Sequence, residues 1–165
     1  MEERIECFEP VAASDARLLI LGTMPSVESL RQSFYYSHPR NAFWPVMANV
    51  LAEQVPQSVE EKKELLIRHK IALWDVAKSC VRPGSLDSDI RQVEPNDFAG
   101  LFGRCTKIEK ILFNGATAQQ LYKKLIGAVP PDCVCMKMPS TSPAYTLSFE
   151  RKLMAWRDGM EGYYD

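Results

Sequence analysis

The chain has no Cys-x-x-Cys pair, no long apolar run, only two histidines and almost no net charge. Each shortage removes a class of function. The five cysteines, Cys7, Cys80, Cys105, Cys133 and Cys135, lack the paired spacing common to zinc and iron–sulfur sites. No metal and no cofactor are expected, and the thiols read as buried and reduced. No stretch approaches the roughly 20 apolar residues that cross a bilayer, so no membrane association is expected. The first residues, Met1-Glu2-Glu3-Arg4, lack the apolar core of a signal peptide, and a cytoplasmic location is expected. A formal net charge of −1 argues against coating nucleic acid by bulk charge, because that binding comes from phosphate neutralisation. It leaves room for a local site that captures one nucleotide.

What is present is an alternation of strands and helices. The apolar share is 46% and the charged share 25%, ordinary for a folded domain. Residues 17–21, 71–73, 110–113 and 133–138 read as four strands. Between them fall helical signals: Ser26 capping a short helix, an apolar stripe of Phe43, Met47, Val50 and Leu51, and a Ser58/Glu61 capping box. Asn96 is expected to cap a helix with Phe98, Leu101 and Phe102. A further helix covers residues 117–126, and Phe149, Leu153, Trp156 and Met160 share one face of a last one. Such alternation implies parallel pairing. The expected fold is α/β: one domain over residues 1–165, with a central four-stranded, mainly parallel sheet flanked by helices.

Each expected strand ends in a polar motif. Gly22-Thr23-Met24-Pro25-Ser26 follows the first, Trp74-Asp75 the second, Asn114-Gly115 the third and Ser140-Thr141-Ser142-Pro143 the fourth. In an open parallel sheet, ligands bind outside the carboxyl ends of the strands. Four such turns on one rim point to a single site, with the Tyr35–Trp44 segment beside it.

The residue types narrow the chemistry. The first turn has one glycine and no Gly-Lys-Ser/Thr ending, so it is no Walker loop, though a tight turn there lets backbone approach a ligand. Asn41 is too weak a base to take a proton but can hold a water through its amide; a plain helix cap is the other use of that position. Tyr36, amid Tyr35, Phe43 and Trp44, is placed to stack on a nucleobase, whereas Phe43 fits the core. Asn114 can pair its donor and acceptor with a base edge or simply make an Asn-Gly turn. Residues 140–143 offer hydroxyls and amides to a phosphodiester, or form an ordinary turn. His38 faces a phosphate or a carboxylate, or is structural. Asp75 and Asp87 are the carboxylates near the rim, and nothing spaces them as a glycosidase or metal pair.

Taken in order, these motifs resemble the uracil-DNA glycosylase superfamily, and most closely its hypoxanthine-DNA (deoxyinosine) glycosylase branch. The likeness rests on Gly22-Thr23-Met24-Pro25-Ser26, Tyr35-Tyr36-Ser37-His38-Pro39-Arg40-Asn41-Ala42-Phe43-Trp44, Leu73-Trp74-Asp75-Val76, Gly84-Ser85-Leu86-Asp87-Ser88, Phe113-Asn114-Gly115 and Pro139-Ser140-Thr141-Ser142-Pro143. It spans residues 17–157. It implies a monofunctional glycosylase acting on double-stranded DNA with a flipped deaminated base, hypoxanthine first, and needing no partner copy. It implies Asn41 as the catalytic asparagine. Gly22, Thr23, Met24, Pro25, Tyr36 and Asn114 would then hold the base. Ser26, Ser140, Thr141, Ser142, Pro143 and Tyr145 would meet the backbone and minor groove, with Tyr145 as a wedge. Mismatch-type uracil enzymes carry an asparagine where this chain has Met24, which argues against their chemistry. Rival readings are a uracil, xanthine or mismatched-thymine glycosylase of the same fold, a non-catalytic nucleotide- or DNA-binding module, and a nucleoside hydrolase.

Overall fold

The computed structural model describes residues 3–163. Four parallel strands form its centre. They are β2 (Leu18–Gly22), β3 (Ile71–Asp75), β6 (Lys110–Asn114) and β7 (Val134–Met138), in spatial order β3-β2-β6-β7. Every residue of β2 and of β3 is buried. That lack of alternation is what a parallel sheet covered on both faces requires.

The helices are α1 (Val27–Gln32), α2 (Phe43–Val50), α3 (Val59–Arg68), α4 (Phe98–Arg104), α5 (Ala116–Leu125) and α6 (Phe149–Gly159). α3 packs on β3, α5 on β6, and α2 against α6. One large apolar cluster joins the sheet to α2, α4 and α6, with Phe43, Phe113, Tyr122 and Trp156 among its largest fully buried side chains. No described helix is long and apolar enough to cross a membrane.

The expected parallel sheet is present, and the structure adds a second sheet. β1 (Arg4–Glu6), β4 (Ala77–Val81) and β5 (Arg91–Pro95) form a three-stranded antiparallel sheet in the order β1-β4-β5. Its strands are hard to see in sequence for two reasons. Only Val76 separates β4 from β3, so the two read as one run. β5 (Arg-Gln-Val-Glu-Pro) is polar and largely exposed, so it lacks the half-buried alternation that marks a strand.

Three local expectations are corrected. Asp97, not Asn96, caps α4, its side chain accepting from Gly100 N; Asn96 is buried and donates to Asp75 O at 2.7 Å. Cys135 is exposed and Cys7 and Cys133 are half-buried, not buried as expected; Cys135 lies on β7, the edge of the sheet, where Val134 is 54% accessible. On α6, Phe149 is exposed while Lys152 is buried.

Ile20 lies at the middle of β2 and is fully buried. Ile20→Ala is expected to cost about 2–5 kcal/mol through lost burial and a residual cavity. Urea unfolding would measure it, and a cost under about 1 kcal/mol would contradict this account of the core.

Candidate active site

Register sets the rim. β2 pairs with β3 so that Gly22 lies opposite Asp75, and β6 pairs with β7 so that Asn114 lies opposite Met138. The chain leaves all four strands at this one end. A cavity of about 260 Å³ opens there. It lies just under the roughly 300–1,000 Å³ of drug-sized sites, a size suited to one nucleobase.

The first turn contributes Gly22, Thr23, Met24, Pro25 and Ser26 to the cavity wall. The aromatic segment contributes Tyr36 and Asn41, and β6 contributes Asn114. From the last turn come Ser140, Thr141, Ser142 and Tyr145, with Ala144 rather than the expected Pro143. His38 lies in a separate shallow groove with Arg31 and Arg40, its Nδ1 accepting from Arg40 N at 3.0 Å.

Glycine is required at two of these points. A Cβ on Gly22 would stand 2.6 Å from both Asp75 Oδ1 and Tyr36 Oη. Gly115 has φ +98°, and a Cβ there would press on Ser140 at 3.3 Å. Any other residue would push the floor of the site apart.

Asn41 and Asn114 are each partly engaged. Asn41 Oδ1 accepts from Phe43 N at 2.9 Å, but the cap of α2 is Ala42, so the plain-cap use of Asn41 is not what the structure shows. Its amide nitrogen makes no hydrogen bond among the described residues. Asn114 donates from Nδ2 to Thr141 Oγ1 at 3.0 Å and accepts at Oδ1 from Thr141 N at 2.9 Å. Both N–H groups and one lone pair remain on Asn41, and one N–H and one lone pair on Asn114. Thr141 O in turn accepts from Ala42 N at 3.0 Å, tying the end of β6 to the residue after Asn41.

Tyr36 sits at φ +54°, in the left-handed region that costs a non-glycine residue energy. Its ring stacks on Phe43 with centroids 4.2 Å apart, so only the opposite face is open to a ligand. Burial pushes its hydroxyl well above the usual tyrosine range, with the Asp75 carboxyl adding to this and Asn114 opposing it.

The sequence family is now decided: residues 9–158 match the uracil DNA glycosylase superfamily. The chain belongs to that superfamily. A protein of Methanosarcina acetivorans named hypoxanthine DNA glycosylase is 40% identical over 120 residues, covering 72% of this chain and 75% of the relative. One of Methanosarcina barkeri with the same name is 31% identical over 156 residues, covering 93% and 96%. The solution NMR structure of a provisionally named uracil DNA glycosylase from Methanosarcina acetivorans superposes with a TM-score of 0.80 at 32% identity, covering 94% of this chain and 96% of that one.

Two parts of this superfamily member's site escaped the sequence reading. Lys152 donates to Ser142 O at 3.0 Å and lies over the Tyr145 ring at 5.7 Å, so α6 clamps the last turn. Nothing in an isolated lysine of a helix signals that use. Beneath the cavity floor lies a buried polar corner. Arg82 holds Pro25 O and Gly84 O, while Thr23 Oγ1, Tyr36 Oη, Asp75 Oδ2 and Arg82 Nη1 have no hydrogen-bond partner among the described residues. Thr23 faces Asp87 and Tyr36 faces Asn114 without reaching hydrogen-bond geometry.

Burial raises the Asp75 carboxyl to about 7, Asp87 pushes the same way, and Arg82 opposes. The Asp87 carboxyl is also raised by burial, against Thr23 and Arg82. The neutral acid is therefore the form that folding favours at Asp75. Between 3.8 and about 7, the folded protein holds a proton that the unfolded chain releases, so stability falls as pH rises through that window. Asp75→Asn is expected to melt above the wild type at pH 8, with the gap closing toward pH 4. The ceiling is about 1.4 kcal/mol per pH unit. A melting difference that ignores pH would contradict the assignment.

Proposed function

We propose that this chain is a monofunctional DNA glycosylase that hydrolyses the N-glycosidic bond of hypoxanthine in DNA. The observation that carries the proposal is the single base-sized cavity at the strand rim, where an open aromatic face, two amides and a hydroxyl-rich turn converge. The relatives that share 31% and 40% identity with the chain are named for the same activity.

A base inside a duplex is out of reach, so the nucleotide is extruded, at a few kcal/mol that a mispair reduces. The open face of Tyr36 stacks on the extruded base, and Asn114 turns its spare N–H and lone pair to the polar edge. Asn41 holds a water below the anomeric carbon with its unused N–H and lone pair. As the C–N bond breaks, the sugar becomes oxocarbenium-like and the base gains negative charge, which preorganised donors stabilise. Ser26 keeps its hydroxyl for the α1 cap, so it serves the backbone indirectly. Residues 140–145, braced by Lys152, meet the minor groove, with Tyr145 filling the gap in the stack. Arg40 is exposed in the groove with His38, which shares Ser85 with the cavity, and supplies local positive charge for a phosphate. A single domain acting as a monomer on double-stranded DNA suffices.

The test is excision from labelled duplexes carrying hypoxanthine, uracil, xanthine or mismatched thymine, with alkali revealing abasic sites. The wild type is expected to act on hypoxanthine first. Asn41→Ala should lose on the order of 10²–10³ in rate, as when one positioned polar group is removed, while duplex binding persists. Asn41→Ser keeps an acceptor for Phe43 N–H, so activity lost without stability separates water positioning from the hold on the start of α2. Duplex binding by both proteins with no abasic product would instead identify a non-catalytic module.

A further inference from the structure

Asp75 is 3% exposed and borders the cavity. Its Oδ1 is 2.6 Å from the point where a Cβ on Gly22 would stand, and its Oδ2 is buried with no partner among the described residues. Arg82, the cation nearest in charge, spends its hydrogen bonds on Pro25 O and Gly84 O instead. A buried carboxyl with an empty oxygen is costly. Oδ2 is sealed from the cavity, so a group in the cavity meets Asp75 at Oδ1.

We propose that Asp75, as a neutral carboxylic acid, donates its proton to N7 of the departing purine. This rests on the proposed excision of hypoxanthine. A protonated carboxyl is a donor, and hypoxanthine, like guanine, carries an acceptor at N7. Tyr36 keeps its ring face for the base, so its hydroxyl is a neighbour of Asp75 rather than a contact of the base.

The step balances. The electron pair of the C1′–N9 bond goes to the base as the bond breaks. The Asp75 proton passes to N7, so the base leaves neutral. The oxygen of the water at Asn41 bonds to C1′, and the proton it sheds restores the acid at Asp75 through solvent. No oxidant or reductant is needed.

The other groups around Asp75 stay out of its titration. Burial raises the Cys7 thiol to about 11 and the Tyr35 and Tyr36 hydroxyls further, and the Arg82 guanidinium opposes the rise at Asp75. Only Asp87, itself raised by burial, titrates beside it. The donor form of Asp75, held to about 7, is lost as pH rises past that value.

The test is single-turnover excision across pH 5 to 9, for wild type and Asp75→Asn, on duplexes carrying hypoxanthine or 7-deazahypoxanthine. The wild-type rate on hypoxanthine is expected to fall tenfold per pH unit above about 7. Asp75→Asn should be about 10²–10⁴-fold slower, the usual worth of a general acid, and lack that fall. The 7-deaza duplex, with CH in place of N7, should bind the wild type and resist excision. Infrared difference spectra supply a readout independent of catalysis: a protonated carboxyl at pH 6 that Asp75→Asn removes. A variant within threefold of wild type, an unchanged pH profile, ready excision of the 7-deaza base, or an ionised Asp75 at pH 6 would each overturn the role of Asp75 alone. Wild type inert on hypoxanthine would overturn the proposed function, and this inference with it.

Discussion

The parallel register of β2 with its two neighbours is the constraint on which the rest depends. It sets Gly22 opposite Asp75 and brings Asn114 to the same level one strand over. Because side chains alternate along a strand, a one-residue slip would send each of these groups to the other face. The register is fixed by burial on both faces of β2 and β3, so the geometry of the rim is paid for by the apolar core beneath it. Gly22 then lets the Asp75 carboxyl and the Tyr36 hydroxyl approach the same backbone point.

Two ties turn that rim into one site. Asn114 and Thr141 exchange a pair of hydrogen bonds, and Thr141 O accepts from Ala42 N. Through Thr141, the end of β6, the turn after β7 and the start of α2 are joined. The second tie runs from α6, where Lys152 and Trp156 hold Ser142 O and Pro139 O. A lysine ammonium buried in this way loses hydration, and burial lowers its proton affinity. The turn is thus braced from behind while Ser140, Thr141 and Ser142 line the cavity.

The polar corner under the site runs against stability. Every buried side-chain polar atom without a partner, among the described residues, belongs to Thr23, Tyr36, Asp75 or Arg82. Tyr36 also holds a left-handed backbone. Unsatisfied groups and strain in one place are what a preorganised site tolerates and a plain core does not.

Much of this was legible in the chain. Apolar runs of the right length located the four parallel strands, and the polar residues after each run located the rim. The ordered motifs around Gly22, Asn41, Asn114 and Ser140 were enough to indicate the superfamily. The second sheet was not legible, because β4 merges with β3 and β5 is polar and exposed. Nor was the sharing of Asn41 between the Phe43 N–H and the cavity, since a hydrogen-bond partner is fixed only once α2 is in place. Lys152 and Arg82 look like surface cations in sequence, and only packing buries them. The sequence by itself determined the strands, the rim and the residue types available there, since periodicity and turn chemistry are local. Tertiary structure alone decided which carboxyl is buried, which amides are already spent and which hydroxyl is left without a partner, because those depend on groups that meet across dozens of residues.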